Sequence, residues 1–144
     1  MATQDYSNHV QYVPIFHFVL FPISVLTLIG SIVNLVQSWG NHDRLYSAAL
    51  LVVITAWLAV FCIVARLFAL KAQDRAIRAE ENLRHFAATG KLLDARLRIP
   101  QIIALRFASD AEFVDLARRA AESGMSADAM KKSIKQWRAD TYRV

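Results

Sequence analysis

The sequence predicts an all-α protein: a two-span transmembrane helical hairpin whose second span continues as a long cytoplasmic helix, followed by a small three-helix module. Two apolar segments, residues 15–37 and 46–70, are each long enough to cross a bilayer core, which takes about 20 helical residues. Of the 17 Lys and Arg residues, only Arg44 and Arg66 lie within residues 1–70. An apolar N-terminal half and a charged C-terminal half therefore predict a membrane anchor that carries a water-exposed module.

The predicted segments follow the apolar boundaries and the charge. They are an N-terminal cytoplasmic segment (1–14), transmembrane helix 1 (15–37), a loop that would be periplasmic in a bacterium (38–45), transmembrane helix 2 (46–70), a cytoplasmic helix extension (71–90) and a C-terminal cytoplasmic helical module (91–144). Arg66, Lys71, Arg75 and Arg78 crowd the end of the second span, and positive residues near span ends stay in the cytoplasm. Both termini are therefore expected in the cytoplasm, because two spans return the chain to the side on which it started.

Small and polar residues mark one face of each predicted span. In the first span they recur at steps of three and four residues, the spacing of a single helix face, and Pro22 is expected to kink this helix one turn back. Because lipid gives little hydrophobic drive between helices, close approach and weak hydrogen bonds must hold the spans together. The alternative is that one face contacts a second subunit. The predicted intramembrane packing residues are Ser24, Thr27, Gly30, Ser31 and Asn34 in the first span, and Thr55 and Cys62 in the second.

An apolar row continues beyond the second span. No Gly or Pro interrupts residues 71–89, so the helix is expected to run on and to end at Gly90. Glu80 and Arg84 are four residues apart on it, which predicts a solvated ion pair. The row would be covered by the C-terminal helices, by the N-terminal segment or by the same row of another copy. We call this row the alanine seam; it has coiled-coil spacing and consists of Ala72, Ala76, Ala79, Leu83 and Phe86.

Three short helices are predicted in the C-terminal module. Pro100 suits the first turn of a helix over residues 101–108. Residues 109–112 have a capping-box pattern that starts a second helix, which ends at Gly124. Ser126 is the expected N-cap of a third helix that runs to about residue 140.

The corner between the second and third of these helices also fits a helix-turn-helix motif, with Ala120, Gly124 and Ser126 at the characteristic positions. The same residues satisfy ordinary packing and capping, so a plain helical pair is the favoured interpretation. A lipid or partner surface comes second and DNA third, which makes nucleic acid the least favoured partner. The basic residues that would contact lipid heads or nucleic acid are Lys131, Lys132, Lys135 and Arg138.

Residues suited to catalysis or cofactor binding are not grouped in the sequence. The chain has one cysteine and four histidines, and contains none of the common zinc, nucleotide or hydrolase motifs. Ligation of a haem between the spans would need two histidines at membrane depth, and only His17 qualifies. No pair of buried carboxylates is available for acid–base catalysis. We therefore predict that the protein is not an enzyme and binds no metal or cofactor.

The two ends of the chain carry residues that identify a family. They are Gln4-Asp5-Tyr6-Ser7-Asn8-His9-Val10 and His17-Phe18 towards the N-terminus, and Ala104-Leu105-Arg106-Phe107-Ala108-Ser109-Asp110 and Lys131-Lys132-Ser133-Ile134-Lys135-Gln136-Trp137 towards the C-terminus. With these runs, the chain resembles a family of small uncharacterised two-span bacterial membrane proteins, defined as a domain of unknown function. The resemblance implies a bacterial inner-membrane location and carries no activity. Where the family usually has a basic residue shortly after the Asn-His pair, this chain has Gln11.

These patterns predict a non-enzymatic integral membrane assembly or accessory protein that acts through helix–helix contacts, as a homo-oligomer or with another membrane protein. The predicted interaction surface combines the alanine seam with Gln4, Asp5, Tyr6, Asn8 and His9. These N-terminal residues could equally pack the inner end of the hairpin. Two alternatives stay open: a membrane-tethered helix-turn-helix DNA-binding regulator, and a small subunit of a larger membrane enzyme complex.

Overall fold

A computed structural model describes residues 4–140 of the 144-residue chain. The described part is all-helical, which confirms the predicted class, and it separates into two compact units. We call residues 12–69 the apolar unit, and residues 4–11 together with 70–140 the C-terminal unit. The helices of the described chain are a π-helix (Ile15–Leu20), α1 (Phe21–Gln37), α2 (His42–Thr89), α3 (Ile99–Leu105), α4 (Asp110–Ser123) and α5 (Ala127–Ser133).

The first apolar helix starts with a wide π-helical turn. The N–H of Phe21 donates to the carbonyl of Phe16, five residues earlier, instead of to the residue four back. Pro22 follows at once; it has no N–H to donate, and in an α-helix its ring would press on the carbonyl of the preceding turn. The irregular turn thus lies directly before the proline that disturbs regular hydrogen bonding.

Two helices are long and apolar enough to cross a membrane, Ile15–Gln37 and His42–Thr89. The second begins inside the stretch predicted as a loop, because Asn41 Oδ1 accepts the N–H of Asp43 at 3.2 Å and caps the first turn. Only 6% of the most apolar window of each helix is buried within the protein. The core helix of a water-soluble protein would be mostly buried, so these two helices present apolar surface that the chain itself does not cover.

In the C-terminal unit, α2 ends at the predicted glycine. Gly90 adopts a left-handed backbone, with φ 72°, and its N–H donates to the carbonyl of Phe86 at 2.7 Å. The side-chain oxygen of Asn82 then accepts the N–H of Leu93 at 3.2 Å, which fastens the following loop back onto α2. The loop buries Leu93 and Leu97 against the module.

Buried Gln101 fixes the start of α3 and joins it to the next helical corner. Pro100 stands in the first turn, as predicted, although the helix begins at Ile99. Gln101 Oε1 accepts the N–H of Arg98 at 2.7 Å, and its Nε2 donates to the carbonyl of Met125 at 2.7 Å. Because both ends of the amide are bonded, its burial leaves no polar atom unsatisfied.

Helix α4 runs from Asp110 to Ser123, between the predicted Ser109 and Gly124 caps, but no capping box forms. The Ser109 hydroxyl makes no cap hydrogen bond. The carboxylate of Glu112 instead accepts the N–H groups of Lys135 at 3.0 Å and Gln136 at 3.2 Å. The sequence pattern located the helix start correctly and assigned the wrong partner to its glutamate.

The prediction that the third module helix reaches about residue 140 is wrong, since α5 ends at Ser133. Ile134 is extended, and the chain beyond it runs beside the segment after α3. There the N–H of Arg138 donates to the carbonyl of Phe107 at 2.8 Å, and the N–H of Ser109 donates to the carbonyl of Gln136 at 3.1 Å. These hydrogen bonds, together with those of Glu112, replace the ones that a longer helix would have made.

The core of the C-terminal unit is formed by α3, α4, α5 and the chain between them. Phe113 and Ala117 of α4 and Met130 of α5 are buried in it. Ile134 is buried as well, although it lies outside any helix. The largest fully buried side chains of this core are Leu105, Phe107, Phe113, Leu116 and Met130.

Candidate interaction surfaces

Arg84, on the cytoplasmic extension predicted for the second span, is the hub of a polar cluster. Its guanidinium donates to Asp110 Oδ1 at 2.6 Å and 2.8 Å, to Glu81 Oε2 at 3.1 Å and to the carbonyl of Ala108 at 2.8 Å. It also covers the ring of Phe113, with the guanidinium carbon 4.1 Å from the ring centre. The predicted pairing of Arg84 with Glu80 is thus replaced by contacts that tie α2 to the start of α4.

The pKa values of the two acids of this cluster are shifted in opposite directions. Hydrogen bonding from Arg84 holds the pKa of the exposed Asp110 carboxyl below its ordinary value. Burial raises the pKa of Glu81, and the attraction of Arg84 only partly offsets this desolvation. The cluster therefore holds one helix end in place at the expense of a buried charge, an arrangement typical of a structural contact.

The predicted N-terminal interaction residues lie against the C-terminal helices of the same unit. The hydroxyl of Tyr6 donates to Asp128 Oδ1 at 2.5 Å, and the ammonium of Lys132 lies 5.3 Å from the Tyr6 ring centre. The side-chain oxygen of Gln4 accepts the N–H of Asp140 at 2.7 Å. These contacts hold residues 4–11 as part of the C-terminal unit.

A tight turn shapes this N-terminal segment. Asp5 Oδ1 accepts the N–H of Ser7 at 2.7 Å and its hydroxyl at 2.6 Å, while Asn8 Oδ1 accepts the N–H of Asp5 at 2.7 Å. Hydrogen bonds from Ser7 hold the pKa of Asp5 below its ordinary value. The turn aims the next side chain, that of His9, at the module.

His9 sits in an aromatic and basic pocket. Its ring centre lies 5.8 Å from that of Phe107 and 5.9 Å from that of Trp137. Its Nδ1 lies 2.7 Å from the carbonyl of Tyr6, and its Nε2 lies 3.1 Å from the ammonium of Lys131. Both ring nitrogens of His9 thus lie within hydrogen-bond distance of groups in the same unit.

The alanine seam is open. All five of its side chains are exposed, Leu83 by 68% and Phe86 by 51%. The opposite face of α2 is the one that packs, through Ile77, Glu81 and Arg84. Of the three covers considered for the seam, neither the C-terminal helices nor the N-terminal segment takes that place within the described residues.

The four predicted basic contacts do not share one helix. Lys131 and Lys132 lie on α5, where Lys132 pairs with Asp128 at 2.9 Å. Lys135 and Arg138 lie beyond the end of α5, on the extended segment, and both are exposed. A recognition helix presents its basic residues from one helical face, and this geometry is therefore less favourable for reading DNA.

Of the predicted packing residues, Ser31 and Thr55 make the contact between α1 and α2. Their hydroxyl oxygens lie 2.8 Å apart, and Ser31 is buried. Ser24 and Cys62 are half-buried. Thr27, Gly30 and Asn34 are exposed. Their exposure leaves room for the alternative that part of this face contacts a second subunit.

Within residues 4–140, no group of three or more His, Cys, Asp and Glu side chains could hold a metal ion. The contacts described above are ion pairs, ring contacts and hydrogen bonds between parts of the chain. These contacts form packing surfaces within the chain.

The family model of DUF6526, a family of unknown function, matches residues 1–144. The chain belongs to DUF6526. This confirms the predicted resemblance to a family of unknown function. No curated protein and no solved structure matches this DUF6526 chain.

Sequence reasoning missed the residues that organise the C-terminal unit of this DUF6526 protein. The sequence predicted a partner for Arg84 on its own helix, and it gave no prediction of a partner for Asp128. The available signal was weak, because an arginine near two acids in sequence is most often a surface pair. Only the fold brings Asp110 within hydrogen-bond distance of Arg84 and Tyr6 within hydrogen-bond distance of Asp128.

Proposed function

We propose that this DUF6526 member is a non-enzymatic integral membrane assembly or accessory protein that acts through helix–helix contacts. The observation that carries the proposal is the open alanine seam on α2, with Leu83 and Phe86 largely exposed. An apolar row of coiled-coil spacing exposed on a packed unit is typical of a surface that binds another helix.

The two apolar helices support a membrane location. Their exposed apolar surface is satisfied by lipid, and the bond between Ser31 and Thr55 supports an antiparallel hairpin of two spans. Arg66, Lys71 and Arg75 at the end of the second span favour a cytoplasmic C-terminal unit. We therefore propose a bacterial inner-membrane protein with both termini in the cytoplasm.

Extraction and labelling test this topology. The protein should stay in the membrane pellet at alkaline pH. In a Cys62→Ser background, a cysteine replacing Asn41 should react with a membrane-impermeant maleimide added to intact cells. A cysteine replacing Ser123 should react only after permeabilisation. Release at alkaline pH, or the reverse labelling pattern, would overturn the proposal.

The role in assembly is tested by Ala76→Glu. A charge in the middle of the seam should lower the mass of the assembly, measured by native mass spectrometry after gentle detergent extraction. Ala88→Glu is the matched control, because Ala88 is also an exposed alanine of α2 and lies off the seam. An unchanged mass for Ala76→Glu would mean that the seam makes no contact.

The same measurement separates the remaining interpretations. A mass that contains other subunits in fixed ratio would assign the protein to a larger membrane complex. The DNA-binding alternative is less well supported, since α5 has only seven residues and its two lysines lie close to His9 and Asp128.

A further inference from the structure

Two charged side chains flank the alanine seam. In the heptad that the seam defines, Ala76 takes an a position and Ala79 a d position, which puts Arg75 at a g position and Glu80 at an e position. Both charged side chains are exposed, and neither makes a hydrogen bond or an ion pair within residues 4–140. They are therefore available to a partner helix.

Glu80 is available because of the polar cluster on the other side of α2. Arg84, four residues further along, would be its ordinary helical partner. That guanidinium is committed to Asp110 and Glu81 and covers Phe113. The fold thus leaves an acid at one edge of the seam without its local counter-ion.

The spacing of the two charges selects a second copy of this chain in parallel orientation. In a parallel two-stranded coiled coil, a g residue faces the following e residue of the partner helix. Arg75 of each copy would meet Glu80 of the other, which gives two symmetric ion pairs. An antiparallel pair puts e beside e and g beside g, and the two residues would not meet.

Membrane insertion imposes the same orientation. Two copies inserted the same way in one membrane carry α2 in the same direction. Confinement to the membrane also raises the effective concentration of one copy near the other, which compensates for a seam of fewer than three heptads. The packed face, with Ile77 and Glu81, is opposite the seam and does not compete with a partner.

We infer that the alanine seam is a homodimer interface in which two copies pack α2 in parallel register, with Arg75 and Glu80 paired across it. This inference rests on the proposed function, because the common orientation of the two copies comes from the membrane topology.

Cysteine cross-linking in native membranes tests the register. In the full-length Cys62→Ser protein, the cysteine of Ala79→Cys should form a disulfide with the same cysteine of a second copy on mild oxidation. The reason is that d positions of a parallel pair face each other. Ala88→Cys, at an alanine that is also exposed but lies on the other side of α2, should not. Equal cross-linking at the two positions would overturn the inference.

Charge reversal tests the pairing. Arg75→Glu and Glu80→Arg should each reduce dimerisation on the order of tenfold, because each turns two attractions into repulsions. The double reversal should restore it. Arg78→Glu is the matched control, since it reverses a neighbouring charge off the seam. Failure of the double reversal to rescue, or an equal loss with Arg78→Glu, would refute the Arg75–Glu80 pairing.

Alkaline extraction of the same membranes keeps the two proposals apart. Integral protein that forms no seam cross-link would end the homodimer inference and leave the proposed membrane role intact. Protein released at alkaline pH would end the proposed role, and the inference with it.

Discussion

A single arginine links the end of α2 to the start of α4. Arg84 satisfies the buried Glu81, bonds the carbonyl of Ala108 and covers Phe113. The cost of removing one partner of a buried ion pair is large because the other charge is left desolvated. The residue therefore matters more for stability than its place in a charged helix suggests.

Replacement of Arg84 by Ala should lower the free energy of unfolding of the C-terminal unit by about 3 kcal/mol, since Glu81 stays buried without a cation. Equilibrium unfolding of the full-length protein in detergent measures this. Arg118→Ala is the control, because Arg118 is exposed and pairs only with Asp115 and Glu122 on its own helix. Comparable losses for the two variants would contradict the assignment.

Glu81 makes stability depend on pH. A carboxyl whose pKa is raised by folding favours the folded state when protonated, so its contribution is present below its ordinary value of 4.5 and is lost as the pH rises through the raised value. Glu81→Gln mimics the protonated form and should be more stable than the parent near neutral pH. The difference should shrink on acidification, as measured by thermal unfolding across pH.

Asp110 provides the opposite sign in the same cluster. Its pKa is lowered by Arg84, so its contribution is present above its ordinary value of 3.8 and is lost as the pH falls through the lowered value. Asp110→Asn should accordingly be less stable than the parent near neutral pH. If both variants shifted stability in the same direction, the electrostatic account of the cluster would be incorrect.

At the scale of elements, the end of α5 depends on a glutamate in another helix. Glu112 accepts two backbone N–H groups of the extended segment that follows α5. Ser126 caps the start of α5 through its own sequence neighbours, with its hydroxyl oxygen 3.1 Å from the N–H of Ala129. A start set locally was predictable, whereas an end set by a distant carboxylate was not.

Glu112→Ala should release this extended segment. The loss of two hydrogen bonds to a carboxylate should cost about 2 kcal/mol of stability and speed amide exchange at Lys135 and Gln136. Hydrogen–deuterium exchange of the full-length protein measures the effect. Glu122→Ala, which removes only an ion pair with Arg118 on the same helix, should leave that exchange unchanged. Unaltered exchange in Glu112→Ala would refute the role of this carboxylate.

At the scale of the whole molecule, two equally exposed leucines should respond differently to charge. Leu26 in the first span and Leu92 in the loop after α2 are each 66% exposed. An arginine at the centre of a span costs roughly 3 kcal/mol in membrane insertion, whereas an exposed loop in water accepts one. Leu26→Arg should therefore lower the membrane-integrated fraction in alkaline extraction, and Leu92→Arg should not. Equal behaviour would mean that water surrounds both.

The sequence by itself determined the helical class, the two apolar helices and most helix boundaries. Apolar length, the glycine at residue 90 and the Ser126 cap act within a few residues of the chain, so their effect can be read from the sequence alone. The sequence also predicted the alanine seam, because three-and-four spacing alone puts those side chains on one helix face.

Only the tertiary structure decided which charges pair and what residues 4–11 contact. The hydroxyl of Tyr6 reaches Asp128, which lies 122 residues further along the chain, and Arg84 reaches Asp110 instead of Glu80. Such contacts form because folding brings polar groups that are distant in sequence within hydrogen-bond distance, and no local sequence pattern encodes that separation. The helical class of this chain follows from local sequence patterns, whereas the partner of each polar group depends on the complete fold.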